Sequence, residues 1–214
     1  MGSARLSARG AARIAAAALA VIGLAGCGSA GHASSTPVAT TSSAAIPPAL
    51  VAQARPIGHG ARFQPPATGP VLGPCVAGLG PRYGVHVEVF AANRVVLIAA
   101  GIGTRPPRTV AAGRIAHAGC YGALVTLEPT GLVLVRPGAR VTTADLFRSW
   151  GQPLSSRRLA SFPAPAGTTV AVFVDGRRWP GPPGSVPLRR HAEIVLEVAP
   201  LVPPHPTYTF PLGL

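Results

Sequence analysis

The chain has 214 residues, room for one ordinary domain with extras, and its 26 glycines and 25 prolines are many for a compact fold. All 19 basic residues are arginine against six acids, a formal charge of +13. Such a balance admits nucleic acid, an anionic surface or an acidic polymer as partner. The arginines stand singly or in pairs, with no basic stripe interleaved with aromatics and no binding motif, which excludes nucleic acid. A solvated basic surface is the plain alternative to any specific partner.

Arg5, Arg9 and Arg13 precede the apolar run IAAAALAVIGLAG, which is shorter than the ~20 residues of a membrane span. The run ends in Leu24-Ala25-Gly26-Cys27. This stretch resembles the bacterial lipoprotein signal, with a leucine and small residues before an obligatory cysteine. The resemblance implies that residues 1–26 are removed and that the Cys27 thiol carries a diacylglycerol of palmitate type. An ordinary cleaved signal with Cys27 incidental is the alternative. Two or three acyl chains anchor stably where one binds marginally. The predicted location is therefore the extracytoplasmic face of the cell membrane, lipid-anchored, with a mature charge of about +10 once the three leading arginines are gone.

Residues 27–70, the lipidated cysteine followed by GSAGHASSTPVATTSSAAIPP and a Pro/Gly-punctuated run, read as a flexible stalk. Small polar residues with proline bury too little surface to offset their ordering entropy. His32 and His59 lie in it without partners and read as solvated. A single β-rich domain is expected over 71–200 and a loosely packed Pro-rich tail over 201–214. Cys75 and Cys120 are the only other thiols, and in an oxidising compartment they are candidates for a disulfide. Closing a loop of that length stabilises by ~4 kcal/mol in the chain-entropy argument. Two buried free thiols are the alternative.

Within the domain, Val85, Val87 and Val89 alternate with His86, Glu88 and Phe90, the period of a half-buried strand. Ala92-Asn93 reads as a turn into a second strand, Arg94–Ala99. GIGTRPPRT reads as a loop, and AAGRIAHAGC has no clear pattern. Ala123–Glu128 and Leu132–Arg136 form a second hairpin around Pro129-Thr130-Gly131. Thr142 with Asp145 resembles a capping box for a helix ending at Trp150, whose Leu146, Phe147 and Trp150 make one apolar face. Gly151 and Pro153 stop it. Val170–Val174, a short edge-like Val186-Pro187-Leu188 and Ile194–Val198 follow. Glu193 and Glu197 read as the polar face of the last strand. The expected class is mainly β with one short helix (α+β).

The order hairpin, helix, strand, short strand, strand over about Tyr121–Pro200 resembles the ubiquitin-like β-grasp. A small sandwich including the Val85–Ala99 hairpin is the alternative. The phrases AAGIG, PTGLVLVRPG, TTADLFRSWGQPL and VFVDGRRW…HAEIVLEV also resemble an uncharacterised family of secreted or membrane-anchored proteins, whose members carry His-x-His in the first hairpin and His-Thr-His before the turn. Clustered imidazoles on adjacent strands suit a divalent metal. Here only His86 survives, with Glu88 or Glu128 as possible company, and Val125-Thr126-Leu127 replaces His-Thr-His. The resemblance thus implies a degenerate metal or small-ligand site, and no cofactor is expected. His117 and His191 read as surface or turn residues.

No Gly-x-Ser-x-Gly elbow, facing carboxylate pair or phosphate-cradling glycine loop is present. The leading expectation is a non-enzymatic, envelope-anchored binding or scaffold module, its partner an envelope protein or anionic polymer. A metal- or ligand-handling protein is second. A hydrolase using Asp175, His191 and Ser185 is third.

Overall fold

A computed structural model describes residues 54–214. The architecture is mainly β with one helix, as expected. The strands are β1 (Tyr83–Ala91), β2 (Arg94–Val95), β3 (Thr104–Ala111), β4 (Arg114–Tyr121), β5 (Leu124–Val125) and β6 (Leu132–Val135). Helix α1 (Thr143–Trp150) follows, then β7 (Leu154–Ser155), β8 (Arg158–Leu159), β9 (Phe162–Pro163), β10 (Ala171–Val174), β11 (Arg177–Arg178) and β12 (Glu193–Glu197).

The main sheet runs β11-β10-β12-β1-β6-β5, with β2 folded against β1. Strand β12 lies parallel to β1, and all other neighbours are antiparallel. A first strand and its hairpin partner, one helix, and a last strand returning parallel beside the first make a β-grasp arrangement. The sequence reading needs correction in one respect. The grasp begins with β1, not with the hairpin around Gly131, so the Val85 strand is the centre of the sheet rather than an appendage. The β2–β5 segment is an excursion between β1 and its partner β6.

Burial explains why β1 takes the centre. Val85, Val87 and Val89 face α1 together with Val133, Val135, Ile194, Leu196 and Val172. Leu146, Phe147 and Trp150 are buried opposite them. The helix is placed by its ends: Thr142 and Asp145 form a reciprocal capping box, and Gly151 adopts φ 82° with its amide donating back to Arg148 and Phe147 carbonyls. Fully burying each aromatic contributes on the order of 1.5–3 kcal/mol. The indole Nε1 of Trp150 donates to the Pro65 carbonyl at 3.1 Å.

That bond corrects the expected stalk. Residues 54–70 pack on the domain: the Gly58 amide donates to the Val95 carbonyl and the Val95 amide to the Pro56 carbonyl, Phe63 accepts from Leu97, and Thr68 donates to Trp150. Phe63 also stacks obliquely on Phe162 at 4.8 Å. The apolar residues Ile57 and Phe63 give this stretch strand-like partners that its prolines and glycines conceal. The rest of the predicted stalk, and Cys27, lie outside the described residues.

Strands β3 and β4 form a two-stranded ribbon where a loop and an unpatterned segment were expected. Nearly every β3 residue after Thr104 is exposed, so no alternation marks the strand, and its register shifts across Pro106-Pro107. Cys120 on β4 bonds to Cys75, with Cα atoms 5.4 Å apart. The Val186-Pro187-Leu188 piece is no sheet strand; it bridges to Thr142 beside the helix start.

The tail is not loose. Residues 202–214 cross the sheet face opposite α1: Val202 packs with Phe90 and Val195, while Tyr208, Phe210 and Leu214 pack with Leu132 and Leu134. This makes a second covered layer, which is why β12 is buried at all five positions. Glu193 and Glu197, expected on a solvated face, are 1 % and 0 % exposed.

Candidate functional site

Under the tail the face of the central sheet carries a polar cluster. Parallel pairing sets His86 of β1 beside Glu193 of β12, and the period of two places Glu88 on the same face. His86 Nδ1 lies 2.7 Å from Glu193 Oε2, and His86 Nε2 lies 3.0 Å from the Thr130 carbonyl. The turn before β6 makes the second contact possible. Gly131 has φ 81°, and a Cβ there would stand 2.4 Å from the Val87 carbonyl, so only glycine lets Thr130 come so close.

The tail supplies the remaining walls. Tyr208 stacks on the His86 ring at 3.8 Å, with the planes 8° apart. His205 Nδ1 lies 2.8 Å from Glu88 Oε2. The backbone amide of Glu193 donates to Asp175 Oδ1 at 2.9 Å, which pins β12 at this point. One oxygen, Glu193 Oε1, is buried without a hydrogen-bond partner.

Burial works against charge on His86, but the hydrogen bond and charge of Glu193, with Glu88 and the Thr130 carbonyl, outweigh it and raise its pKa above the ordinary histidine value. Burial likewise raises Glu193 above the usual carboxylate range, reinforced by Glu88 and opposed by His86 and His205. Both shifts favour proton retention by the pair. Tyr208 is raised by burial and by the charges of Glu128 and Glu193.

Ligating atoms of His86, Glu88 and Glu193 all lie within 4.8 Å of one another. Two of the residues singled out from the sequence, His86 and Glu88, are thus brought together. Glu128 is not: it lines a separate groove with Arg114, Leu127, Leu132 and Leu214. Sequence reasoning missed Glu193 and His205. The only signal was Glu193 standing before an apolar run, because nothing local tells which strand β12 will join. His117 is exposed on the ribbon, and His191 sits exposed in a turn with φ 61°. Asp175 and His191 line one shallow cleft, but Ser185 does not line it, and its hydroxyl is engaged by Trp179 and Pro182.

The surface is the second feature. Five of the six carboxylates are engaged by neighbours: Glu88 and Glu193 by histidines, Glu197 by the Val202 amide, Asp175 by the Glu193 amide, and Asp145 by the helix cap and Arg148. Of the arginines in the described region, all but Arg55, Arg82 and Arg136 are exposed. Arg82 is buried among the carbonyls of Leu79, Gly122 and Ala123, and burial followed by the charge of Arg136 lowers its pKa to about 10. Arg136, Arg140 and Arg148 border an open cleft of about 470 Å³ between the β6–α1 loop and the loop after Leu72. Among the described residues no helix is long and apolar enough to cross a membrane. No family model, no curated protein and no solved structure matches the chain, so the resemblances read from its sequence gain no relative from these comparisons.

Proposed function

We propose that the chain is a lipid-anchored extracytoplasmic protein whose β-rich domain binds an anionic polymer of the cell envelope without catalysing a reaction. The anchor rests on Leu24-Ala25-Gly26-Cys27 after its apolar run. The observation that carries the binding role is the division of charge: five of the six acids are engaged within the fold while most arginines face outward, and the exposed Arg140 and Arg148 border one cleft beside Arg136, whose guanidinium is held by backbone carbonyls. Asp145 offsets only Arg148 there, at 2.9 Å. A cleft rich in guanidinium groups recognises phosphate or carboxylate arrays through charge-assisted, often bidentate hydrogen bonds. The grouping of the acids supports a non-enzymatic role, since five of the six are matched to a fixed partner rather than to a nucleophile.

The test uses a defined polyanion, polyphosphate, and fluorescence anisotropy at several salt concentrations. Arg140→Glu with Arg148→Glu is expected to weaken binding on the order of tenfold, about 1.4 kcal/mol. Arg157→Glu with Arg158→Glu, residues that do not line the cleft, is expected to change it little. Absence of salt-sensitive binding by the unaltered protein would refute the reading, as would equal losses in both double variants.

A further inference from the structure

We propose that His86, Glu88, Glu193 and His205 form a divalent-cation site that fastens the C-terminal segment to the sheet. Three of the four have ligating atoms within 4.8 Å of one another. The fourth, His205, is already 2.8 Å from Glu88. The donors come from three separate parts of the chain, β1, β12 and the tail, with His205 reaching the group through Glu88.

Details of the cluster suit coordination better than a pair of private hydrogen bonds. His86 Nε2 lies 3.0 Å from the Thr130 carbonyl, which can hold a ring proton there, so a cation that displaces the proton shared by Nδ1 and Glu193 meets a lone pair facing the carboxylates. Metal-bound histidines are held this way, the distal N–H donating to a carbonyl that fixes tautomer and ring plane. Tyr208 stacked at 3.8 Å fixes the same ring further. Glu193 Oε1 is the independent sign of a missing ligand: the residue is 1 % exposed, and this oxygen has no hydrogen-bond partner. Buried polar atoms are seldom left so.

Charge closes the argument. Once the cation has displaced the shared protons into solvent, two carboxylates and two neutral imidazoles carry two negative charges, which one divalent ion cancels in a place where net charge is costly. A donor set of two nitrogens and two oxygens selects zinc or a similar borderline ion over calcium or magnesium, which take oxygen ligands. Entry is open from the tail side, where the side chains of His205 and Glu88 are 29 % and 19 % exposed. This site is independent of the arginine cleft, and neither reading needs the other.

Zinc is titrated into chelator-stripped full-length protein by calorimetry, with thermal unfolding and limited proteolysis in parallel. One zinc per chain is expected, with a higher melting temperature and protection of the peptide bonds after Pro200. His205→Ala, in the half-exposed tail, is expected to lower affinity at least tenfold while leaving the chelated protein's melting temperature nearly unchanged. Glu193→Gln is expected to lower it further. His117→Ala, on the exposed ribbon, should have no effect. Lack of stoichiometric binding at micromolar zinc overturns the proposal, as does an affinity unchanged by His205→Ala or lost with His117→Ala.

Discussion

Glu197 shows at the level of one side chain what a covered sheet face does to an acid. Its Oε2 accepts the Val202 amide at 2.9 Å, and its Oε1 has no partner, although the residue is wholly buried. Burial raises its pKa, the Val202 amide opposes this, Glu88 adds to it, and Arg178 and Arg55 oppose it. Glu197 therefore holds more proton folded than unfolded. Its contribution to stability is fully present below the ordinary value of 4.5 and is lost as pH rises through the raised one. With chelator present, the melting temperature is expected to fall across that range. Glu197→Gln, which keeps the acceptor for Val202 and cannot ionise, should flatten the curve; curves that run parallel for both proteins would contradict this. Glu193 and Glu197 look in sequence like the wet side of an alternating strand. Their burial is decided by residues 202–210, and no local pattern reports so distant a cover. His86 and Glu88 were legible because polar residues interrupting a valine alternation invite a question wherever the strand ends up.

At the scale of elements, what is local in cause was readable and what is long-range was not. Helix α1 follows from Thr142, Asp145 and Gly151, each acting within one turn. The turns at Ala92-Asn93 and Asp175-Gly176 both take positive φ, which Asn93, Asp175 and Gly176 readily adopt and Ala92 adopts against the preference of its Cβ. The parallel contact of β1 with β12 joins residues more than a hundred positions apart, and hydrophobic period alone does not choose a strand's neighbour. The β3–β4 ribbon was hidden for another reason: β3 is exposed after Thr104, and on β4 the buried Ile115, Ala118 and Tyr121 fall three apart across register shifts, so neither strand shows a period of two. With so little burial the ribbon depends on its base, where Cys120 is tied to Cys75 across a 45-residue separation. In the chain-entropy argument that closure is worth ~4 kcal/mol. Cys75→Ser with Cys120→Ser is expected to lower the melting temperature by roughly 10 °C for a domain of this size. Equal melting temperatures for the double variant and the unaltered protein under non-reducing conditions would show that the bridge closes no loop the unfolded chain would otherwise explore.

For the whole molecule, the proposed function supposes two attachments to the envelope, and they differ in how they answer to salt. A charge of about +10 on the mature chain draws it to an anionic surface, at about 1 kcal/mol for each arginine that comes close. That attraction collapses when the screening length falls to ~3 Å near 1 M salt. The acyl chains proposed for Cys27 would bury methylenes and be indifferent to salt. The unaltered protein is therefore expected to stay with membranes through a wash at about 1 M salt, whereas Cys27→Ser should associate only at low salt and leave in that wash. Release of the unaltered protein would remove the lipid anchor from the account; retention of the serine variant would move the anchor elsewhere in the chain. The order of the two attachments also sets what the arginine cleft must achieve. A domain already held at the envelope meets its polymer at an effective concentration in the millimolar range, so weak, rapidly exchanging guanidinium contacts suffice. Arginines spread over an open cleft, rather than buried in a closed pocket, are what such a tethered binder needs.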